Sequence, residues 1–485
     1  MNRICSGVLQ QLDRFLRRKF ADPRVVNDPH SKLNRTQVSQ ISRPSSLDAL
    51  LSEARLHADA RRPVAICGAR HSMGGQQFLT GAALLDMRRL QRVIGLEGGV
   101  VKVEAGIDWP ELVTQLHRLQ RGDREPWTIP PKQTGADKLT LGGAVSCNAH
   151  GRGLTRRPLS GDIEEMEIVS PTGELVTCSR SQNAELFQCA VGGYGLFGPI
   201  YSVSMRLERR HKLERIVEIA CAESLMDDFD DRISHGFTMG DWQFAIDEAS
   251  DDFLHRGVLS CYRPVQIDTP ISASQKSISR RAWNELVYLA HHEKSRAFKL
   301  YADYYLSTNG QIYWSDTSQL GGYETNYHEA LDRRVGAEHP ATEMITELYV
   351  PRVRFAELMA RAAQWIRAKN ASVIYGTVRL IRRDEDSLIP WARDDYACVI
   401  FNIHVEHTER KIAEAADVFR GLIDLAVQLN GSFYLTYHRW ASRAQVDACY
   451  PRFAEFLQRK RAYDPHGIFQ SDWYRHMASM YGEGG

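Results

Sequence analysis

The sequence predicts an α+β protein of two domains. Its 485 residues exceed the usual size of a single domain. The N-terminal part alternates amphipathic helices with short strands, the middle part has longer, more charged helices and longer strands, and the tail adds one strand and one helix. We therefore expect a first domain at residues 1–208, with an N-terminal extension at 1–40, a second domain at residues 209–430, and a C-terminal segment, 431–485, that returns to the first.

The first domain begins with a helix and a buried strand. Ser45 and Asp48 predict a capping box ahead of an apolar stripe, so we expect a helix from there to about Ala60. The apolar run at residues 63–67 predicts a buried strand that ends abruptly at Gly68. Further strands are expected at residues 83–87, 100–105, 163–170, 174–178, 200–207, 371–381, 396–405 and 432–437, and a helix at residues 109–119 after Asp108.

Composition narrows the class of protein. Hydrophobic residues make up 43% and charged residues 25%, as in an ordinary soluble protein, and the net charge of +1 gives no attraction to nucleic acid. Nine scattered cysteines without a CxxC pair suggest a reducing compartment, so we expect a cytoplasmic protein. No apolar stretch approaches the roughly 18 to 20 residues of a membrane-spanning helix.

The N-terminus has a basic amphipathic pattern. Apolar residues alternate with arginine and lysine at helical spacing over residues 3–19. Such a helix either packs its apolar stripe on its own domain or makes weak contact with an anionic membrane surface. The sequence leaves both interpretations open.

Three segments rich in small residues are candidates for binding a dinucleotide. They lie at residues 68–75, 135–153 and 192–198. Glycines let consecutive backbone N–H groups point into one concavity, which suits a pyrophosphate. The third segment contains a GxGxxG pattern, but a strand-like run follows it instead of a helix, so a Rossmann site is not predicted.

These segments together carry a family resemblance. Gly68-Ala-Arg-His-Ser-Met-Gly-Gly, Thr140-Leu-Gly-Gly-Ala-Val-Ser-Cys-Asn-Ala-His-Gly, Val191-Gly-Gly-Tyr-Gly-Leu-Phe-Gly and the tail Tyr463-Asp-Pro-His-Gly-Ile-Phe resemble the vanillyl-alcohol-oxidase superfamily. The resemblance implies a two-subdomain FAD-binding domain of the p-cresol-methylhydroxylase type and an α+β substrate domain, or cap, with an antiparallel sheet. It covers essentially the whole chain.

Two branches of that superfamily are similar to different parts of the chain. The aldonolactone and alditol oxidases share the Arg-His-Ser loop, in which the histidine is bonded to the flavin, and His71 falls on that position. The decaprenylphosphoryl-ribose oxidases resemble the second segment and the tail more closely. Their active-site lysine is replaced here by Tyr437, followed by His438. The Glu-x-Arg pair of the alditol branch retains only its arginine, at Arg379.

The resemblance implies a set of cofactor residues. The first loop would wrap the pyrophosphate and Tyr434 would reach the flavin from the tail. The FAD-binding residues implied are Ile66, Cys67, Gly68, Ala69, Arg70, His71, Ser72, Gly135, Thr140, Leu141, Gly142, Gly143, Cys147, Asn148, Ala149, His150, Ile200 and Tyr434.

The predicted reaction is oxidation of a CH–OH group by hydride transfer to flavin N5. Arg379 would orient the substrate or stabilise reduced flavin, and His150 would lie near the catalytic face. The hydroxyl proton would pass to His438, Tyr437 or water. By analogy with the family, the substrate is a polyol, a sugar or a sugar-derived compound, and the electron acceptor is O₂ or another oxidant. The alternatives are a reductase of the sterol-reductase type and a non-catalytic flavin-binding protein.

No metal site is predicted. His404 and His407 are the nearest approach to a pair of ligands, but they lie in a strand-like run. Residues three apart in a strand face opposite sides, so a metal shared by these two histidines is not expected.

Overall fold

The computed structural model describes residues 22–131, 136–321 and 327–482. The basic pattern at residues 3–19 and the predicted cofactor residue Gly135 lie outside these ranges. Among the described helices, none has the length and apolar character needed to cross a membrane. The eight described cysteines are all free thiols.

The described chain contains twenty strands and thirteen α-helices. The strands are β1 (Val25–Val26), β2 (Thr36–Gln37), β3 (Gln40–Ser42), β4 (Val64–Cys67), β5 (Ala83–Asp86), β6 (Val93–Glu97), β7 (Val100–Glu104), β8 (Trp127–Thr128), β9 (Ile163–Val169), β10 (Leu175–Ser179), β11 (Ile200–Arg206), β12 (Glu208–Arg209), β13 (Lys212–Cys221), β14 (Met239–Phe244), β15 (Arg256–Val265), β16 (Ile312–Trp314), β17 (Ala341–Pro351), β18 (Val373–Ile381), β19 (Tyr396–Glu406) and β20 (Ser432–Phe433). The helices are α1 (Leu47–Asp59), α2 (Trp109–Leu119), α3 (Leu141–Ser146), α4 (Ala184–Ala190), α5 (Leu225–Ser234), α6 (Arg280–His292), α7 (Lys294–Leu306), α8 (His328–Val335), α9 (Phe355–Ala368), α10 (Glu409–Gln428), α11 (Arg443–Cys449), α12 (Phe453–Tyr463) and α13 (Asp472–Met480).

Two sheets surround the glycine-rich segments. The first has three parallel strands in the order β3-β5-β4, and the second has five antiparallel strands in the order β10-β9-β11-β7-β6. The tail returns to the first sheet, because Val64 donates its N–H to the carbonyl of Ile468 and accepts from the N–H of Gln470. The fold is α+β, as predicted.

The third sheet is the largest and is antiparallel throughout. Its eight strands run in the order β16-β13-β15-β14-β18-β19-β17-β20. The long central strands β17, β18 and β19 are buried along most of their length, and α9 and α10 pack against the sheet. The paired strands β18, β19 and β17 place Arg379, Cys398 and Tyr349 in one cross-strand row.

Two local expectations need correction. Helix α1 is capped by Ser46, not Ser45, because the extended Ser46 lets its hydroxyl accept the N–H of Ala49. The tail strand ends at Phe433 and does not continue to Tyr437. Beyond that point the backbone carbonyls of Leu435 and Thr436 accept hydrogen bonds from the loop at residues 73–76, which replace the ladder of a sheet.

Candidate functional site

A cavity lies at the end of β4, where the chain turns at Gly68. Its walls come from the three glycine-rich segments, although these are far apart in the sequence. The predicted cofactor residues that line it are Ile66, Cys67, Gly68, Ala69, Arg70, His71, Ser72, Thr140, Gly142, Gly143, Cys147 and Ile200. Tyr194, Gly195 and Gly198 of the third segment complete the wall.

Small residues are required in this wall by close packing. A Cβ atom on Gly68 would lie 2.1 Å from the hydroxyl oxygen of Thr140, so a side chain there would displace the second segment. Gly195, with φ of +76°, adopts a conformation that L side chains rarely reach. The wall is therefore formed largely by backbone.

The cavity has the chemical features of a dinucleotide site. Arg70 also has a positive φ, of 68°, and its guanidinium contacts the buried carboxylate of Asp86 at 3.3 Å. Its Nε and the side-chain oxygen of Gln77 are buried without a hydrogen-bond partner among the described residues. Buried polar groups normally have partners, so these two atoms fit a polar ligand such as FAD in the cavity.

His71 faces the cavity beside a second histidine. Its Nδ1 lies 2.6 Å from Nε2 of His30, which belongs to the segment before the first sheet. Burial and the neighbouring ring of His30 lower the pKa of His71 to about 3, and burial lowers that of His30 to about 4. Both imidazoles are therefore neutral at physiological pH, and one donates to the other.

The other described cofactor residues lie just behind the cavity wall. Leu141 is buried at the start of α3, and Ala149 bonds to the carbonyl of Ala144. The side chain of Asn148 bridges Asp384 and the N–H of Ser160. Tyr434 donates its hydroxyl to the carbonyl of Cys147 at 2.7 Å, which connects the tail to the cavity wall.

A buried cluster of titratable groups adjoins this wall. Nε2 of His150 contacts Oε1 of Glu347, and the same oxygen accepts from Tyr349 at 2.8 Å and from the thiol of Cys398 at 3.0 Å. The second carboxylate oxygen, Oε2, is buried without a hydrogen-bond partner among the described residues. Glu347 thus keeps one oxygen available for a ligand.

Glu347 is held in its ionised form. Burial by itself would raise its pKa, but the charge of His150 and the hydrogen bonds from His150, Cys398 and Tyr349 lower the pKa to about 2. Its charge is in turn one of the causes, after burial, that raise the pKa of the Cys147 thiol to about 11. The carboxylate therefore acts electrostatically on the wall of the cavity.

Arg379 and Tyr437 approach the same cluster. The row that contains Arg379, Cys398 and Tyr349 puts their side chains on one face of the large sheet, and Glu347 lies on that face two residues from Tyr349. Burial and the charge of Glu347 raise the pKa of Tyr437 well above its usual value, while Arg379 opposes this. Tyr437 is therefore a neutral phenol beside an ionised carboxylate.

His438 lies in a different environment from the other predicted catalytic residues. Its ring packs against Phe419, Phe433 and Trp440, and its nearest polar partner is the hydroxyl of Thr346 at 3.4 Å. Burial lowers its pKa to about 3. The structure thus brings together His150, Arg379 and Tyr437 but leaves His438 among aromatic side chains.

Sequence reasoning missed Glu347. The Glu-x-Arg pattern was sought on the strand of Arg379 alone, whereas this carboxylate comes from β17, two strands across the sheet. The available signal was an acidic residue in the apolar run Met344–Val350. A lone carboxylate in such a strand indicates a paired or functional group, because an unpaired buried charge is costly.

A polar wall continues from this cluster along the sheet. Thr377 lies two residues from Arg379 and donates its hydroxyl to the buried carboxylate of Asp241 at 3.4 Å. The guanidinium of Arg152 lies 3.7 Å from the same carboxylate. Donors and acceptors therefore extend beyond the single carboxylate of Glu347.

Comparison with known families gives two matches, at opposite ends of the chain. A FAD binding domain family matches residues 38–179. The D-arabinono-1,4-lactone oxidase family matches residues 340–477. The first match contains most of the cavity wall, and the second contains Glu347, Arg379 and Tyr437.

Individual relatives are similar over different lengths. L-gulono-1,4-lactone dehydrogenase of Mycobacterium tuberculosis is 22% identical over 90% of this chain and 96% of its own length. An uncharacterized oxidoreductase of the fasciation locus of Rhodococcoides fascians is 30% identical over 34% of this chain and 36% of its own length. Cytokinin dehydrogenase 4 of Oryza sativa subsp. japonica is 28% identical over 56% and 50%. The matches to the latter two relatives thus span half or less of their length.

Proposed function

We propose that this chain oxidises a CH–OH group of a sugar-derived lactone, sugar or polyol. The chain belongs to the FAD-dependent oxidoreductases of the vanillyl-alcohol-oxidase superfamily, near the aldonolactone oxidases, and its FAD-binding domain is of the p-cresol-methylhydroxylase type. In this proposal residues 1–208 and 431–485 hold the cofactor and residues 209–430 form the substrate cap.

The observation that carries this proposal is the buried Glu347 with one unpartnered oxygen. Tyr434 connects its surroundings to Cys147 in the cavity wall, so the carboxylate is close to the place where a flavin would bind. A carboxylate that is ionised and has a vacant acceptor position can accept a hydrogen bond from a substrate hydroxyl group and hold that group in place.

Each group in the cluster has a distinct proposed role. FAD, when bound, accepts the hydride at N5. Glu347 accepts a hydrogen bond from the substrate hydroxyl group, directly or through Tyr437, and the hydroxyl proton leaves to water. Arg379, whose Nε is buried without a partner among the described residues, orients the substrate oxygen. His150 holds the carboxylate in place and keeps it charged.

The substrate class is supported by the polar wall and by the relatives. Thr377, Asp241 and Arg152 supply further hydrogen-bonding groups beside Arg379, which suits a compound with several hydroxyl groups. Lactones are named in both the matched family and the relative that aligns over nearly its whole length.

The test is anaerobic reduction of the bound flavin. The protein is mixed with a panel of aldonolactones, alditols and aldoses, and the flavin absorbance is followed by stopped flow. We expect at least one of these compounds to bleach the flavin within seconds. NAD(P)H and a cytokinin are tested in the same way. Bleaching by NAD(P)H alone would favour a reductase, and bleaching by a cytokinin alone would change the substrate class. No bleaching by any of these compounds would contradict the proposal.

We further propose that the flavin is covalently bonded to His71. The ring lines the cavity, burial keeps it neutral, and its contact with His30 occupies Nδ1. Nε2 is then the nitrogen that remains for the flavin, and His30 orients it. A neutral imidazole is the nucleophilic form of histidine. The bond would replace one C–H of a flavin methyl group and one N–H of the ring, and it would leave the flavin reduced by two electrons, which O₂ or another acceptor would remove.

In-gel flavin fluorescence after denaturing electrophoresis checks this bond. Wild type should fluoresce, and His71→Ala should not, while His30→Ala should show a slower gain of fluorescence when FAD is added. His57→Ala is the matched control, because His57 is also buried but lies on α1 outside the cavity wall. Fluorescence retained by His71→Ala would exclude the bond.

A further inference from the structure

A second buried carboxylate on β17 is surrounded by histidines. Glu343 is 4% exposed and faces His291 from the end of α6, His404 from β19 and His328 from the start of α8. Glu343 and His404 are direct cross-strand partners, so their side chains lie on the same face of the sheet. Two helices and two strands of the sheet thus fix the positions of four side chains.

Two distances from Glu343 match the edges of a metal coordination shell. Oε1 of Glu343 lies 3.0 Å from Nε2 of His291 and 3.3 Å from Nδ1 of His404. Ligand atoms bound tetrahedrally to zinc at about 2.0 to 2.1 Å are separated by about 3.3 Å. All three ligand atoms lie within 4.8 Å of one another.

The hydrogen bonds leave a lone pair of His291 facing the carboxylate. Nδ1 of His291 is 2.8 Å from the carbonyl oxygen of Val287, which can only accept, so Nδ1 carries the proton. Nε2 faces a carboxylate oxygen at 3.0 Å, so the space between them takes either a proton or a metal cation. A backbone carbonyl on the other ring nitrogen is the usual partner of a metal-binding histidine.

We propose that His291, Glu343 and His404 bind one divalent transition-metal ion, with Zn²⁺ as the first expectation. His328, 3.1 Å from Oε2 of Glu343, and the hydroxyl of Tyr327 hold the second carboxylate oxygen and so orient the ligand. Two imidazoles and one carboxylate suit zinc better than calcium or magnesium, which prefer oxygen ligands.

The site is accessible but separate from the proposed catalytic cluster. His291 and the adjacent Lys294 line an open surface cavity, and the side chain of His404 is 27% exposed, so an ion can enter. Glu343 is four residues from Glu347 on the same strand, a distance of about 13 Å. We therefore assign the ion a structural role that joins α6 to the sheet, independent of flavin chemistry.

A second group of metal-ligand types, His150, Glu347 and Cys398, does not compete for this assignment. Burial and the charge of Glu347 raise the pKa of the Cys398 thiol well above its usual value. The thiol already donates to Oε1 of Glu347 at 3.0 Å within the proposed catalytic cluster, and no ion is assigned there.

Zinc binding to the FAD-loaded protein tests the proposal. The protein is treated with EDTA, dialysed against buffered Zn²⁺, and analysed for metal by mass spectrometry. We expect one equivalent of zinc in wild type and at least tenfold weaker binding in His291→Gln and in His404→Gln. His292→Gln is the matched control, because His292 lies next in α6 but packs on Tyr288, and it should bind zinc like wild type.

Thermal unfolding separates a metal site from a simple ion pair. Zinc should raise the melting temperature of wild type and of His292→Gln by several degrees, and that of His291→Gln by less than one degree. The flavin absorbance spectrum verifies that each variant is folded. Wild-type protein that retains no stoichiometric zinc, or His291→Gln and His404→Gln that bind it as wild type does, would overturn the proposal.

Discussion

Glu343 and Glu347 lie on the same face of β17, yet their surroundings differ. Both oxygens of Glu343 are engaged, by three histidines and a tyrosine. Glu347 has all its described partners on Oε1, and its Oε2 has none among the described residues. Burial opposes ionisation of both carboxylates, but hydrogen bonds and neighbouring histidines lower both pKa values.

The difference between these two carboxylates distinguishes a group that stabilises the fold from a group that can act on a substrate. A carboxylate whose oxygens are both engaged, by neighbouring side chains or by the proposed metal ion, fixes the elements around it and is not available to a substrate. A carboxylate with an unused oxygen is costly to bury and is retained where a ligand will supply the missing partner. We therefore connect Glu347 with catalysis and Glu343 with the architecture of the cap.

The largest expected effect is on catalysis by Glu347→Gln. Glutamine keeps the shape but lacks the charge that holds the substrate hydroxyl group, so the rate constant for anaerobic flavin reduction should fall by about 10² to 10³. Stopped-flow absorbance measures this rate with the best substrate of the panel. The variant should retain its flavin spectrum, and a rate within threefold of wild type would remove Glu347 as the group that holds the substrate hydroxyl.

Glu343→Gln should lower the stability of the protein and have little effect on catalysis. Loss of the charge leaves three histidines around a neutral amide, so the free energy of unfolding should fall by about 3 kcal/mol. Flavin reduction should slow by less than tenfold. Urea denaturation measures the first quantity, and Glu406→Gln, at the exposed end of β19, serves as control with a change below about 0.5 kcal/mol. Equal losses of unfolding free energy in Glu343→Gln and Glu347→Gln would contradict the distinction between the two carboxylates.

The smallest effect concerns the acid side of the stability profile. His438 has a pKa of about 3 in the folded protein, below the ordinary histidine value of about 6.5, because it is buried. Between these values the unfolded chain binds more protons, so the free energy of unfolding decreases as the pH falls below about 6.5.

His438→Phe should therefore make the protein less sensitive to acid. The loss of unfolding free energy between about pH 7 and pH 5 should shrink by about 2 kcal/mol relative to wild type. Denaturation curves at the two pH values measure it. His339→Phe, at an exposed histidine, is the control and should leave the difference unchanged. An unchanged difference in His438→Phe would show that this ring is not buried as a neutral group.

Local structure was largely predictable where a short-range signal defines it. The strand before Gly68, the helix after Asp108 and the hairpin at residues 163–179 are confirmed, because periodicity, capping residues and turn residues act within a few positions. The tail strand was overextended, because the backbone carbonyls of Leu435 and Thr436 accept hydrogen bonds from a loop more than 350 residues away.

The site was predictable in part, for the same reason. Glycine-rich loops have a local composition that can be read directly, and twelve of the predicted cofactor residues line one cavity. Arg379 and Tyr437 were selected by position, but the acid that they meet comes from another strand. The His291, Glu343 and His404 group was not anticipated, since its members are up to 113 residues apart in the chain.

The amino-acid sequence was sufficient to predict an α+β protein with three small-residue segments suited to a dinucleotide, because small side chains and periodicity are local properties. Its family resemblance identified that dinucleotide as FAD. Which carboxylate lies on the face of Arg379, and which is enclosed by histidines, became visible only in the folded chain. In the sequence, both glutamates lie in the same apolar strand and cannot be told apart. The roles proposed for them differ because the pKa, the solvation and the free hydrogen-bonding capacity of each carboxylate depend on groups that folding brings from other strands and helices.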